Sequence, residues 1–358
     1  MDHMQTLKRA WNILWSYRAL WVIGIILALT SPSGFSPGSS NFSPDLNVPR
    51  RYETTPPEEI QRELEKLGEL FNQGIPADTL ETLTRIGVLF VLAMLLLAIL
   101  FAIGYYVSQA ALIRMVDKYE QDEEKLTWKA GLRLGWSRAA WRLFLIDLVI
   151  YLPIFLAFIL IFGCAALPVL LKTLAGQQPT MPGIIASVGL VFLLIFVAII
   201  INVVLSLVLE IIRRVGVLQD SDAITAIRQG LEVIRGNFKD VFIMWLILLG
   251  IKVGFFIALI PLAILLAALG LFVGGGVGFL SYTVFQATTS TLVAWIAAVL
   301  SGMILFILVL AIPMLFLEGL RETFLSSTWT LTYRELNLEM LDRSSSPEEN
   351  DTSAEVVA

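Results

Sequence analysis

Leu112-Ile113-Arg114-Met115-Val116 returns further along the chain as Ile211-Ile212-Arg213-Arg214-Val215, and Gly131-Leu132 returns as Gly230-Leu231. Both matches share one ungapped offset of about 99 residues, and self-similarity at a fixed period marks a chain built from repeated units. Each arginine-bearing stretch closes a long apolar run and leads through a short charged segment into an amphipathic one. The opening Ala10 to Ser16, with its Trp15-Ser16, matches Gly131 to Ser137 with its Trp136-Ser137. A third exit, Leu317-Glu318-Gly319-Leu320-Arg321, echoes Leu209-Glu210-Ile211-Ile212-Arg213. We expect three copies of one helical hairpin within a membrane domain over 1–340, with repeats near 1–118, 119–220 and 221–340.

Composition points the same way. The chain is 57% hydrophobic and only 15% charged, with a mean hydropathy of +0.79, whereas soluble proteins average about 25% charged residues. Spans need about 20 mostly apolar residues, and five windows qualify: Ile86 to Leu112, Leu143 to Leu171, Gly183 to Leu209, Val241 to Val273 and Thr291 to Leu317. Ala19 to Thr30 is shorter and follows a basic start, as a secretory signal does. It lacks a small-x-small cleavage pattern and follows the repeated Trp-Ser element, so it reads as a retained sixth helix. The expected fold is all-α: a polytopic membrane protein with six transmembrane helices as three repeated hairpins, joined by amphipathic interfacial helices.

Positive charge sets the expected orientation, because short translocated loops avoid Lys and Arg. Residues 1–18, 114–142, 213–239 and 321–343 hold 18 of the 25 Lys and Arg. These segments are expected on the cytoplasmic side with both termini, in a plasma-membrane protein. A net charge of -5 offers no basic field for nucleic acid. Membrane lipids are the expected partners of the cytoplasmic cations.

The insertion at 31–85, expected outside the cytoplasm, begins with a Ser/Pro/Gly/Asn stretch. Thr55-Pro56-Pro57-Glu58 then has the form of a helix start with a capping box. Ile60, Leu64, Leu67 and Phe71 share one face of the helix so begun, near 56–72. It serves either as a lid on its own protein or as a docking surface for a protein partner. On the cytoplasmic side, Leu126 to Arg142 and Ala223 to Lys239 read as amphipathic interfacial helices, the first with Trp128, Trp136 and Trp141 at headgroup depth. Ser326 to Leu336 looks like a partial further copy. Residues 341–358 read as a disordered acidic cytoplasmic tail.

Charged groups inside spans are functional candidates, since each costs about 3 kcal/mol to place in hydrocarbon. Asp147 and Lys252 are the two candidates. They lie roughly 8 Å and 20 Å along their helices from the preceding cytoplasmic cation, and form either one interhelical pair or two separate contacts. Glu210 with Arg213, and Glu318 with Arg321, are three apart and of the right sign to pair at membrane exits. Gly274-Gly275-Gly276-Val277-Gly278 lacks the strand and Lys of a phosphate loop and reads as an outer connection or re-entrant turn. With one His, His3, one Cys, Cys164, and no nucleophile elbow, the sequence suggests no catalytic, cofactor or metal residues.

The order of amphipathic entry, two spans and Glu/Ala-x-x-Arg exit resembles a broad set of six-span bacterial membrane proteins, similar to the membrane domain fused to glycerophosphodiester phosphodiesterases. Trp15-Ser16, Gly131 to Ser137, Gly230 to Asn237 and Trp329 to Leu336 carry that resemblance. The acidic and His metal ligands of a phosphodiesterase domain are missing, so the resemblance implies no enzymatic activity. Two functions fit the residues: a non-catalytic scaffold or lipid- or partner-interacting module, and a small-solute or ion transporter using Asp147 and Lys252.

Overall fold

The computed structural model describes residues 1–31, 77–174 and 181–345. Every regular element among them is a helix: α1 His3–Ser16, α2 Ala19–Thr30, α3 Ala77–Asp122, α4 Trp128–Gly135, α5 Arg138–Leu174, α6 Met181–Leu218, α7 Ala223–Gly236, α8 Phe238–Gln286 and α9 Thr291–Ser345. The proposed helix at 56–72 lies outside the described residues. Each of the five apolar windows falls within one long helix. Among the described residues, five helices are long and apolar enough to cross a membrane, or six if the bent pair α1 and α2 counts as one span. α2 alone, with 12 residues, rises about 18 Å, short of a hydrocarbon core about 30 Å thick.

Short helices start and stop where local chemistry dictates. Asp2 caps α1 by accepting from the backbone N–H groups of Met4 and Gln5, both at 3.1 Å. The chain then bends by 99° into α2. Thr127 caps α4 through the Ala130 N–H.

The described chain divides into two compact units. One holds Met1–Leu27, Tyr105–Ile251 and the chain from Leu320 onward. Its centre is the last part of α9. Trp329, Tyr333 and Leu336 pack with Ile211, Ile212 and Val241, while Leu331 packs with Ile13, Leu20 and Met115. Ser326 to Leu336, expected as an interfacial copy, is therefore the uninterrupted and almost wholly buried continuation of α9. Four of its five Ser and Thr hydroxyls are compatible with that burial because they bond their own helix: Ser327, Thr328, Thr330 and Thr332 each donate to the carbonyl four residues back, at 2.8–2.9 Å, while the buried Ser326 hydroxyl has no partner among the described residues. Residues 341–345 of the expected tail are helical, since α9 runs to Ser345, and the rest of it lies outside the described residues.

The other unit holds Ala28–Gly104 and Lys252–Gly319. Here α8 and α9 turn at 287–290 and pack through small residues. The glycine run 274–278, expected as a connection, is helical within α8. A Cβ on Gly274 would stand 2.6 Å from the Gly302 carbonyl oxygen, and one on Gly302 would stand 2.8 Å from the Gly274 oxygen. Such close approach is the usual reason for small residues between membrane helices. A Ser301–Ser281 hydroxyl bond of 2.8 Å adds to the seam.

Candidate functional site

Asp147 sits about two and a half turns into α5 and Arg213 near the end of α6. Arg213 donates from Nε at 3.0 Å and from Nη2 at 2.9 Å to one Asp147 oxygen, and from Nη2 at 2.8 Å to the other. The side chains are 11% and 9% exposed, so this is a planar, multiply bonded pair held largely out of solvent. Within its unit the partner of Asp147 is thus Arg213; Lys252, expected either to pair with Asp147 or to make a separate contact, is exposed on α8 and belongs to the other unit. Arg213 ends a helix antiparallel to α5 and so meets Asp147 near the same level.

With Arg213 engaged across the helices, Glu210 takes the next residue. Arg214 donates to both the Glu210 carboxylate and its carbonyl oxygen, the i,i+4 geometry of adjacent turns. Arg214 is 1% exposed and also reaches the Ser326 carbonyl at 3.4 Å, which ties α6 to the centre of α9. At the last exit Arg321 bonds Glu322 at 2.9 Å.

Beside the Asp147–Arg213 pair opens a groove of about 550 Å³ between α5 and α6, touched by Tyr106 of α3. Phe144, Leu148, Leu152, Phe155 and Phe158 form its α5 wall; Ala198, Ile201 and Leu205 face them from α6. Polar atoms come from Asp147, Tyr106, Tyr151 and Asn202. The volume is that of an ordinary small-molecule pocket, and a mostly apolar lining with a few polar groups is the usual pattern.

A second polar cluster ties the same two helices together. Asp220, just past α6, accepts from Arg142 at 2.5 Å and from Arg114 at 2.8 Å. Arg114 also bonds Ser137 at 3.1 Å. Asp220 takes a φ of 50°, a left-handed conformation in which Asp and Asn are enriched. Together, Arg142 with Asp220 and Asp147 with Arg213 show that α5 and α6 run antiparallel. Sequence reasoning missed Asp220 and the groove. The one legible signal was an Asp in the short linker after a repeated Arg exit.

Among the described residues, no group of three or more His, Cys, Asp or Glu could hold a metal ion. The site offers a neutral ion pair, three uncharged polar side chains and an apolar trough, an arrangement suited to holding an amphiphile. No curated protein and no solved structure matches the chain. Nothing in these comparisons ties it to glycerophosphodiester phosphodiesterases. Residues 5–333 match the model of DUF7544, a family of unknown function, and the chain belongs to that family.

Proposed function

We propose that the protein is a non-catalytic integral membrane protein of the plasma membrane that acts as a scaffold or lipid-interacting module. The observation that carries this reading is the groove between α5 and α6. Its walls are mostly apolar, and the charged pair beside it is internally neutralised, as expected for an amphiphile. The bent pair α1 and α2 serves as the first of six spans, with both termini cytoplasmic.

Three similar joins support the threefold hairpin reading. Each short helix ends with a backbone N–H returned to the carbonyl four residues back, from Tyr17 to Ile13, Trp136 to Leu132 and Asn237 to Val233, at 2.8–3.1 Å. A long or further apolar helix follows each. Gly131 and Gly230, matched in the repeat, both sit where a Cβ would strike the preceding long helix, at Met115 and at Ile212. A protein partner at helix 56–72 remains part of the proposal.

Two measurements test it. The full chain, extracted in native nanodiscs, should carry an identifiable lipid or protein; liposomes containing it should show no proton or small-ion flux above empty liposomes. Flux abolished by Asp147→Asn would replace the scaffold with the transporter reading.

A further inference from the structure

Trp141 and Trp136 are 62% and 69% exposed, and exposed Trp in a membrane protein sits at headgroup depth. Arg142 follows directly. From there the groove's α5 wall descends from Phe144 to Phe158, a rise of about 21 Å at 1.5 Å per residue. One leaflet's share of the hydrocarbon core is about 15 Å, so the trough is as deep as one acyl chain needs.

The charge at its mouth has a sign. Two guanidiniums, Arg114 and Arg142, share the single carboxylate of Asp220, which leaves that triad one net positive charge. Lys125 to Ile146 adds Lys125, Lys129, Arg133 and Arg138 and contains no Asp or Glu. An apolar trough at least one leaflet deep, whose wall begins two residues past Arg142 of an undercompensated arginine pair, matches a molecule with a hydrocarbon tail and a phosphate head.

We propose that this groove holds one acyl chain of an anionic glycerophospholipid, whose phosphate rests against Arg142 and Arg114. The proposal rests on the lipid-interacting reading and names the lipid. Asp147, about one and a half turns below Arg142, and Tyr106 then lie nearest the phosphate, where ester and glycerol oxygens need hydrogen-bonding partners.

The test uses the full chain in nanodiscs of equal phosphatidylglycerol and phosphatidylcholine, released into the gas phase and weighed with its retained lipid. The expected result is one retained lipid, with phosphatidylglycerol preferred at least fivefold. Leu152→Trp, which fills the trough, should abolish retention, whereas Leu160→Trp, on a surface 68% exposed and outside the lining, should not. Arg142→Gln should erase the preference, and Arg142→Lys should restore most of it; the rescue separates a headgroup role from loss of fold. Equal retention of both lipids by the unaltered chain, or an unchanged preference in Arg142→Gln, overturns the headgroup assignment. Retention unaffected by Leu152→Trp overturns the groove, including the case of a second copy or neutral lipid held elsewhere. No retained lipid at all overturns the lipid-interacting function itself.

Discussion

At the scale of single residues, Asp147 and Arg213 are the sharpest case. Removing one partner strands a charge in a place water barely reaches, which costs on the order of 3 kcal/mol, while removing both costs much less. Asp147→Asn and Arg213→Met should each lower thermal stability in nanodiscs, and the double variant should recover much of the loss. Asp147→Asn combined with Lys252→Met should instead be additive; coupling there would mean that Lys252 shares the interaction. Gly135 gives a second test. A Cβ there would run into the Val107 carbonyl oxygen and the Ala111 side chain, both carried by the rigid backbone of α3. Gly135→Ala should therefore destabilise by about 1–3 kcal/mol. Gly163→Ala, with nothing within 4 Å, should leave the melting temperature nearly unchanged. The acid was legible in sequence because a carboxylate within an apolar run stands out. Its partner was not, since Arg213 has Glu210 three residues away and local spacing favoured that pair.

At the scale of elements, α9 departs most from expectation. Ser326 to Leu336 mixes apolar residues with Ser and Thr in a way that resembles a half-wet surface helix. The mixture arises because the helix is packed on several sides and the buried hydroxyls of Ser327, Thr328, Thr330 and Thr332 are satisfied within it. Cysteine placed at Ser327, 0% exposed, should resist a soluble thiol reagent in detergent, and cysteine at Leu338, 59% exposed, should react readily, both in a Cys164→Ala background. Equal labelling would return the segment to the interface. The α8–α9 seam makes a parallel prediction. Gly302→Leu should push the helices apart and lower the melting temperature markedly, while Gly275→Ala and Gly276→Ala, which meet nothing within 4 Å, should be tolerated. Sequence reasoning took the glycines as a break, although a glycine run is also what two helices need in order to touch.

For the whole molecule, topology is the property to measure. With Cys164→Ala as background, cysteines at Ser40 and Gln177 should react with an impermeant reagent added outside intact cells, and one at Ser344 should not. External labelling of Ser344 would exclude the proposed orientation. By itself, the sequence determined the helical class, the five long apolar helices and the place of the repeated arginine exits, because hydrocarbon demands long apolar helices whatever else the protein does. It also marked Asp147, since charge within a span is rare. Only the tertiary structure decided which arginine meets Asp147, that α9 ends in a buried core, and that a groove opens between α5 and α6. Those depend on which helix faces which and at what depth, and one chain's periodicity records the face of a helix without naming its neighbour.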